Sequence, residues 1–210
     1  MSATNDPEAI ARSLRRYGPL RAIVRHAGPP PLQRRAPANS RYPYLVRAIV
    51  FQQLAGNAAT AIHNRLLAAC DGRVTPDAID GLDDLELSTC GLSGSKAAAI
   101  RDLTVKVDEG TVRLDRHARM DDDAVIADLV QIRGIGTWTA HMYLLGPMGR
   151  TDVWPNGDYG VRMGWSLLHD LDPMVTERNL LTAADALAPH RSAVAWYCWQ
   201  EVGRRRAEGR

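Results

Sequence analysis

Apolar residues recur at three- and four-residue intervals along almost the whole of this chain, and that spacing leaves room for little except helices. Runs of β-branched residues with period two are scarce, and there is a single Phe in 210 residues. Helical spacing covers 7–17, 44–55, 57–70, 95–109, 121–131, 137–146, 158–169, 176–187 and 191–203. Thr75-Pro76 opens a further short helix, since proline is tolerated in a first helical turn. The pattern breaks near Gly56, where Asn57 is the expected cap of the following helix. Residues 28–37, GPPPLQRRAP, cannot be helical, so an extended surface connector is expected there. The expectation is an all-α protein of about ten short helices, with no internal repeat and no linker between independent domains.

Composition narrows the partners only a little. A net charge of +2 is weak grounds for an anionic partner. The kind of charge says more: Lys96 and Lys106 are the only lysines, so 24 of the 26 basic residues are Arg. The planar guanidinium suits phosphate because it donates two hydrogen bonds at once, although such a bias equally fits genome composition. Cys70, Cys90 and Cys198 are odd in number and lack C-x-x-C spacing, which argues against a disulfide framework or a thiolate zinc site. Three cysteines are also too few for a four-cysteine iron–sulfur cluster. No stretch approaches the roughly 20 apolar residues of a membrane span, and the first residues lack the apolar core of a secretory signal. A cytoplasmic location is the default expectation.

The most informative segment is Leu129-Val130-Gln131-Ile132-Arg133-Gly134-Ile135-Gly136-Thr137-Trp138-Thr139-Ala140. Two glycines around one aliphatic residue permit a tight turn between helices and a close backbone approach to another chain. The amides of Gly136, Thr137 and Trp138 then fall at a helix N-terminus, a ready seat for a phosphate oxygen. Alone, the pattern equally describes a plain helical turn plugged by Ile135. About twenty residues on comes Asp152-Val153-Trp154-Pro155-Asn156-Gly157-Asp158, in which Asp158 is also a favoured helix cap.

A hairpin of this type followed by V-W-P-x-x-D resembles the signature of the helix-hairpin-helix base-excision DNA glycosylases. Three further segments carry the same resemblance: YLVRAIVFQQLAGNAATAIHNRL at 44–66, GLSGSKAAAIRDL at 91–103 and HRSAVAWYCWQ at 190–200. The last is similar to the closing helix of the 3-methyladenine DNA glycosylase II group. The resemblance spans roughly residues 20–203 in the right order.

That resemblance implies two helical lobes around a DNA-binding cleft, one from residues 47–157 and the other from 1–46 plus 158–210. It implies an extruded nucleotide, because a glycosidic carbon inside a stacked duplex is out of reach. Asp158 then matches the carboxylate that stabilises positive charge on the sugar as the base departs. Trp138 stands where bifunctional relatives carry a Schiff-base lysine, which implies a monofunctional enzyme. Trp138 and Trp199 match aromatic positions against the extruded base, where an indole favours a cationic alkylpurine; core packing is an equal reading of Trp199. Gln53 and Leu54 match the wedge that fills the gap, although Ala55-Gly56 departs from the usual Ser. Gly134, Gly136 and Thr137 match the phosphate grip. The carbonyls of Val130, Ile132 and Ile135 match a monovalent cation site, and no other cofactor is implied. The implied partner is double-stranded DNA with an alkylated base, the expected oligomeric state is a monomer, and no membrane is involved. The extra β-rich N-terminal domain common in the family is not expected here.

The remaining polar groups carry less. His26, His63, His117, His141, His169 and His190 lack ligand spacing and are expected in the core or in solvent. Arg204, Arg205 and Arg206 are expected to form a solvated tail. The alternatives are a non-catalytic hairpin module and a glycosylase for another lesion such as hypoxanthine.

Overall fold

A computed structural model describes residues 6–31 and 35–209. In chain order the α-helices are α1 (Pro7–Leu14), α2 (Arg21–Ala27), α3 (Arg41–Phe51), α4 (Gly56–Ala69), α5 (Pro76–Asp80) and α6 (Asp84–Thr89). They continue with α7 (Gly94–Asp108), α8 (Asp122–Leu129), α9 (Thr137–Leu145), α10 (Tyr159–Leu168), α11 (Glu177–Leu180) and α12 (Arg191–Ala207). Among the described residues there is no strand, as the spacing predicts. Among them, too, no helix is long and apolar enough to cross a membrane.

The chain divides into two compact units, Arg35–Met148 and Met1–Arg34 with Gly149–Arg210. The sequence-based boundaries fall later, at 46/47 and 157/158; in the structure the whole of α3 belongs with α4, α7 and α9. In the Arg35–Met148 unit Leu45, Ile49, Leu66, Ile100, Leu103 and Leu129 are fully buried. His117 is buried among them, with Nε2 2.7 Å from Asp128 Oδ2 and Nδ1 2.9 Å from the Tyr143 hydroxyl.

In the other unit α10 crosses α12 at close range, because a Cβ on Gly164 would overlap the backbone of Cys198. Leu20, Val161, Val194, Tyr197 and Cys198 fill the space between α2, α10 and α12. Tyr17 ties the N-terminal segment to α10, with its hydroxyl 2.9 Å from His169 Nε2. His169 in turn stacks on Trp165 at 4.0 Å.

Several local expectations change. α3 stops at Phe51 because Gln53 takes a left-handed backbone, φ 57°, which no α-helix continues through. Asn57 is not the cap of α4: the helix begins one residue before it, with Ala55 at the cap position and no side-chain bond. α6 lacks an extended apolar period and escapes a periodicity search, yet Asp83 and Glu86 form a complete capping box. Arg204 and Arg205 are not a solvated tail, since α12 runs on to Ala207 and both pair with the buried Glu201 at 2.7 and 2.8 Å. Residues 32–34 of the Pro- and Arg-rich connector lie outside the described residues, and 28–31 and 35–37 are non-helical.

Candidate active site

The hairpin joins α8 to α9 through two short backbone bonds, from Ile132 N to Leu129 O at 3.1 Å and from Ile135 N to Ile132 O at 3.0 Å. Ile132 and Ile135 are buried, so they plug the turn against the core. Gly134 has φ +76°, a left-handed conformation that disfavours a side chain, and a Cβ there would meet Ala99 Cβ at 3.3 Å. Gly136 is different. It sits at the cap position of α9 with no side chain to bond the first turn, and a Cβ there would meet nothing within 4 Å.

The turn is held from outside by residues the motif search passes over. Asp102 Oδ2 on α7 accepts from the Arg133 amide and from Lys106 Nζ, both at 2.7 Å. Burial alone would raise the Asp102 carboxyl, but Lys106 and the Arg133 amide hold it below the ordinary carboxylate range. Lys106 Nζ also donates to Gln131 O at 2.7 Å. Gln52 Nε2 donates to Gly134 O at 2.9 Å, which couples the end of α3 to the hairpin. Lys96 Nζ donates to Val50 O at 2.7 Å and so caps α3, whose last carbonyls have no helical partner. The lysine of the G-L-S-x-x-K segment and the first glutamine of Q-Q are therefore structural ties.

Beside the hairpin, α3 and α9 line a pocket of about 620 Å³. Gln53 and Trp138 both face it, and the Trp138 indole is 49% exposed. Leu54, next along the α3–α4 break, is 39% exposed. A non-glycine residue with φ 57° carries backbone strain, so the structure around Gln53 holds it in place. Trp138, Gln53 and Gly134 thus converge on one pocket in the Arg35–Met148 unit.

Asp158 lies in the other unit, at the cap of α10. Its Oδ1 accepts from the Val161 amide and from Trp199 Nε1, each at 2.8 Å. The Asp158 amide donates to Pro155 O at 2.9 Å, and Val153, Trp154 and Pro155 are buried. Trp154 Nε1 donates to Leu180 O at 2.8 Å, which anchors this loop in the core. The loop is also fixed to α12: Arg191 forks onto both Asp152 oxygens at 2.9 and 2.8 Å, and Ser192 Oγ accepts from the Val153 amide at 2.9 Å. These bonds account for the R-S pair of the closing segment. Trp199 is half-buried, so it packs on the core and spends its N–H on Asp158 at the same time.

The indole reaches the carboxylate only because residue 160 is glycine. A Cβ at Gly160 would stand 2.7 Å from Trp199 Cδ1 and 3.0 Å from Nε1. The only sequence signal for this is a glycine in the first turn of a helix, where it costs stability.

The carbonyls of Val130, Ile132 and Ile135 belong to the hairpin turn, and that of Ile132 already accepts the Ile135 amide. Neutral main-chain oxygens fit a hard cation rather than a soft metal. Among the described residues there is no group of three or more His, Cys, Asp or Glu side chains able to hold a metal.

Two all-helical units, one built round a helix-hairpin-helix turn and one presenting a capped aspartate against a tryptophan, define a helix-hairpin-helix protein. The family described as HhH-GPD superfamily base excision DNA repair protein matches residues 46–189. DNA-3-methyladenine glycosylase 1 of Schizosaccharomyces pombe is 34% identical over 162 residues, which cover 76% of this chain and 71% of that protein. Two solved structures are similar. The S. pombe 3-methyladenine DNA glycosylase in complex with abasic DNA has a TM-score of 0.77 at 31% identity, covering 87% of this chain and 90% of that one. The DNA-3-methyladenine glycosidase of Bacillus halodurans has a TM-score of 0.84 at 29% identity, covering 99% and 94%. The chain belongs to the HhH-GPD superfamily of base excision DNA repair proteins and, within it, to the DNA-3-methyladenine glycosylase family.

Proposed function

We propose that the protein is a monofunctional glycosylase that removes N3-methyladenine and N7-methylguanine from double-stranded DNA, with Asp158 as its catalytic carboxylate. An alkylated purine already carries positive charge, so it departs without a general acid. The C1′–N bond breaks with its electron pair on the base, and water adds at C1′ and gives up a proton. What needs help is the cationic sugar, which an ionised carboxylate close to C1′ stabilises. The observation that carries this reading is the fixing of Asp158 Oδ1 by Val161 and Trp199, since a stabiliser of developing charge works best when held in advance.

The remaining roles follow from placement. Gly134, Gly136 and Thr137 would seat a phosphate at the start of α9. Gln53 or Leu54 would fill the gap left by the extruded nucleotide, and Trp138 would take the base on its exposed face. A monovalent cation on the carbonyls of Val130, Ile132 and Ile135 would add positive charge near that phosphate. The hydrolysis uses no other cofactor, and one chain supplies every group it needs. The absence of strand cleavage is supported by Trp138 at the lysine position and by the structural engagement of Lys96 and Lys106.

The experiment is base release from duplexes carrying single defined lesions, followed by treatment with and without alkali. Release of methylated purines, with the strand uncut until alkali is added, is the expected result. Duplex binding with no release of any base would contradict it and leave a non-catalytic hairpin module.

A further inference from the structure

On α3, Tyr44, Arg47, Ala48 and Phe51 fall at i, i+3, i+4 and i+7, so they share one face, and all four line the pocket beside Trp138. Among the described residues lining that pocket, Arg47 is the only one with a formal charge. Its guanidinium lies 3.9 Å from the centre of the Phe51 ring, and among the described residues it has no carboxylate partner. The pocket thus holds a fork of donors, braced by an aromatic face, with no negative charge of its own.

Such a wall is poorly matched to a cationic base. N3-methyladenine brings a positive charge and a 6-amino donor, and both oppose a guanidinium. A neutral 6-oxopurine brings the opposite edge: O6 and N7 are both acceptors, and Arg pairs with such an edge in two parallel bonds. The leaving-group chemistry agrees. A neutral purine departs with negative charge that spreads onto its acceptor atoms, where a guanidinium stabilises it. A base that departs from a cation needs no such help.

We infer that Arg47 is a specificity-determining residue that turns this pocket toward neutral 6-oxopurines such as hypoxanthine. The inference rests on the proposal that the pocket beside Trp138 receives the extruded base. It gives that site a lesion preference which the carboxylate chemistry at Asp158 does not supply.

The test compares single-turnover release of hypoxanthine and of N3-methyladenine by wild type, Arg47→Met and Arg47→Lys. Affinity for undamaged duplex and a thermal melt are measured alongside. Arg47→Met is expected to lower the ratio of hypoxanthine to N3-methyladenine release roughly tenfold or more, the scale of one bidentate base contact. Arg47→Lys keeps the charge but not the fork and is expected to fall between. Undamaged-duplex affinity is expected to stay within about twofold of wild type, because a base contact is not a phosphate contact. An equal fall on both substrates, with a matching loss of duplex affinity, would overturn the inference and make Arg47 a phosphate grip. An unchanged ratio would overturn it by leaving Arg47 as a cover for Phe51. Release of N3-methyladenine without hypoxanthine by wild type would overturn the inference and leave the proposed function standing. Release of neither base would remove both.

Discussion

Trp199 Nε1 donates to Asp158 Oδ1 at 2.8 Å, and the bond exists because Gly160 leaves room for the indole. Gly160→Ala places a methyl group 2.7 Å from Trp199 Cδ1 and must push the ring aside. Alanine is the better helix former, so fold stability is expected to hold or rise. Base release is expected to fall roughly tenfold, the worth of one hydrogen bond to a charged group. Trp199→Phe, which removes the N–H without overpacking, is expected to give a similar loss. Unchanged single-turnover release in both variants would mean that the contact is packing alone.

The two hairpin glycines are expected to fail in different ways. Gly134→Ala forces a side chain onto φ +76° and against Ala99, so a loss of about 1 kcal/mol or more should appear in denaturant melts. Gly136→Ala meets nothing inside the protein and should fold normally. Its methyl group instead occupies the space where a phosphate would approach. It should weaken binding to damaged and undamaged duplex alike, since phosphate contacts carry no sequence information. Normal duplex affinity for Gly136→Ala would remove the hairpin from the DNA interface.

Hairpin and cap were legible in the sequence for a physical reason. A turn that needs φ > 0 and a helix start that needs a short polar cap restrict residue type within a few positions, so Gly134 and Asp158 leave a local trace. Gln52, Asp102 and Lys96 leave none, because each acts on a carbonyl or amide far away in the chain. Gly160 and Arg47 became informative only through their neighbours, Trp199 and Phe51. α6, six residues long and recognisable by its capping box, marks where periodicity runs out.

Lys96 and Lys106 should form no covalent link to DNA. Borohydride treatment during turnover is expected to trap no adduct, and the strand should remain intact until alkali is added. Lys96→Met leaves Val50 O without its partner and should cost about 1–3 kcal/mol of stability, with the chemistry of the intact site unchanged in kind. A trapped complex mapped to either lysine would contradict the monofunctional assignment.

Acid should destabilise the protein through its buried imidazoles. Burial lowers His117 from the ordinary value of 6.5, against the pull of Asp128, and it lowers His169 in the same way. A single neutral tautomer satisfies His117, with Nε2–H donating to Asp128 and Nδ1 accepting from Tyr143. A folded-state value below the unfolded one means that this stability is present above about pH 6.5 and is lost as pH falls through the folded value. The melting temperature should therefore fall between pH 7.5 and pH 5.5, by less in His117→Gln than in wild type. An equal fall in both proteins would exclude His117 as a source.

The most direct test of the catalytic assignment is single-turnover release of N3-methyladenine from methylated duplex by Asp158→Asn, beside a thermal melt. Asn caps a helix about as well as Asp, and its Oδ1 can still accept from Val161 and Trp199. The substitution therefore removes charge while keeping shape. The prediction is a folded protein that binds duplex DNA and releases base roughly a hundredfold or more slowly, the scale of losing one electrostatic stabiliser. Wild-type release by a folded Asp158→Asn protein would reduce Asp158 to a helix cap and contradict the account.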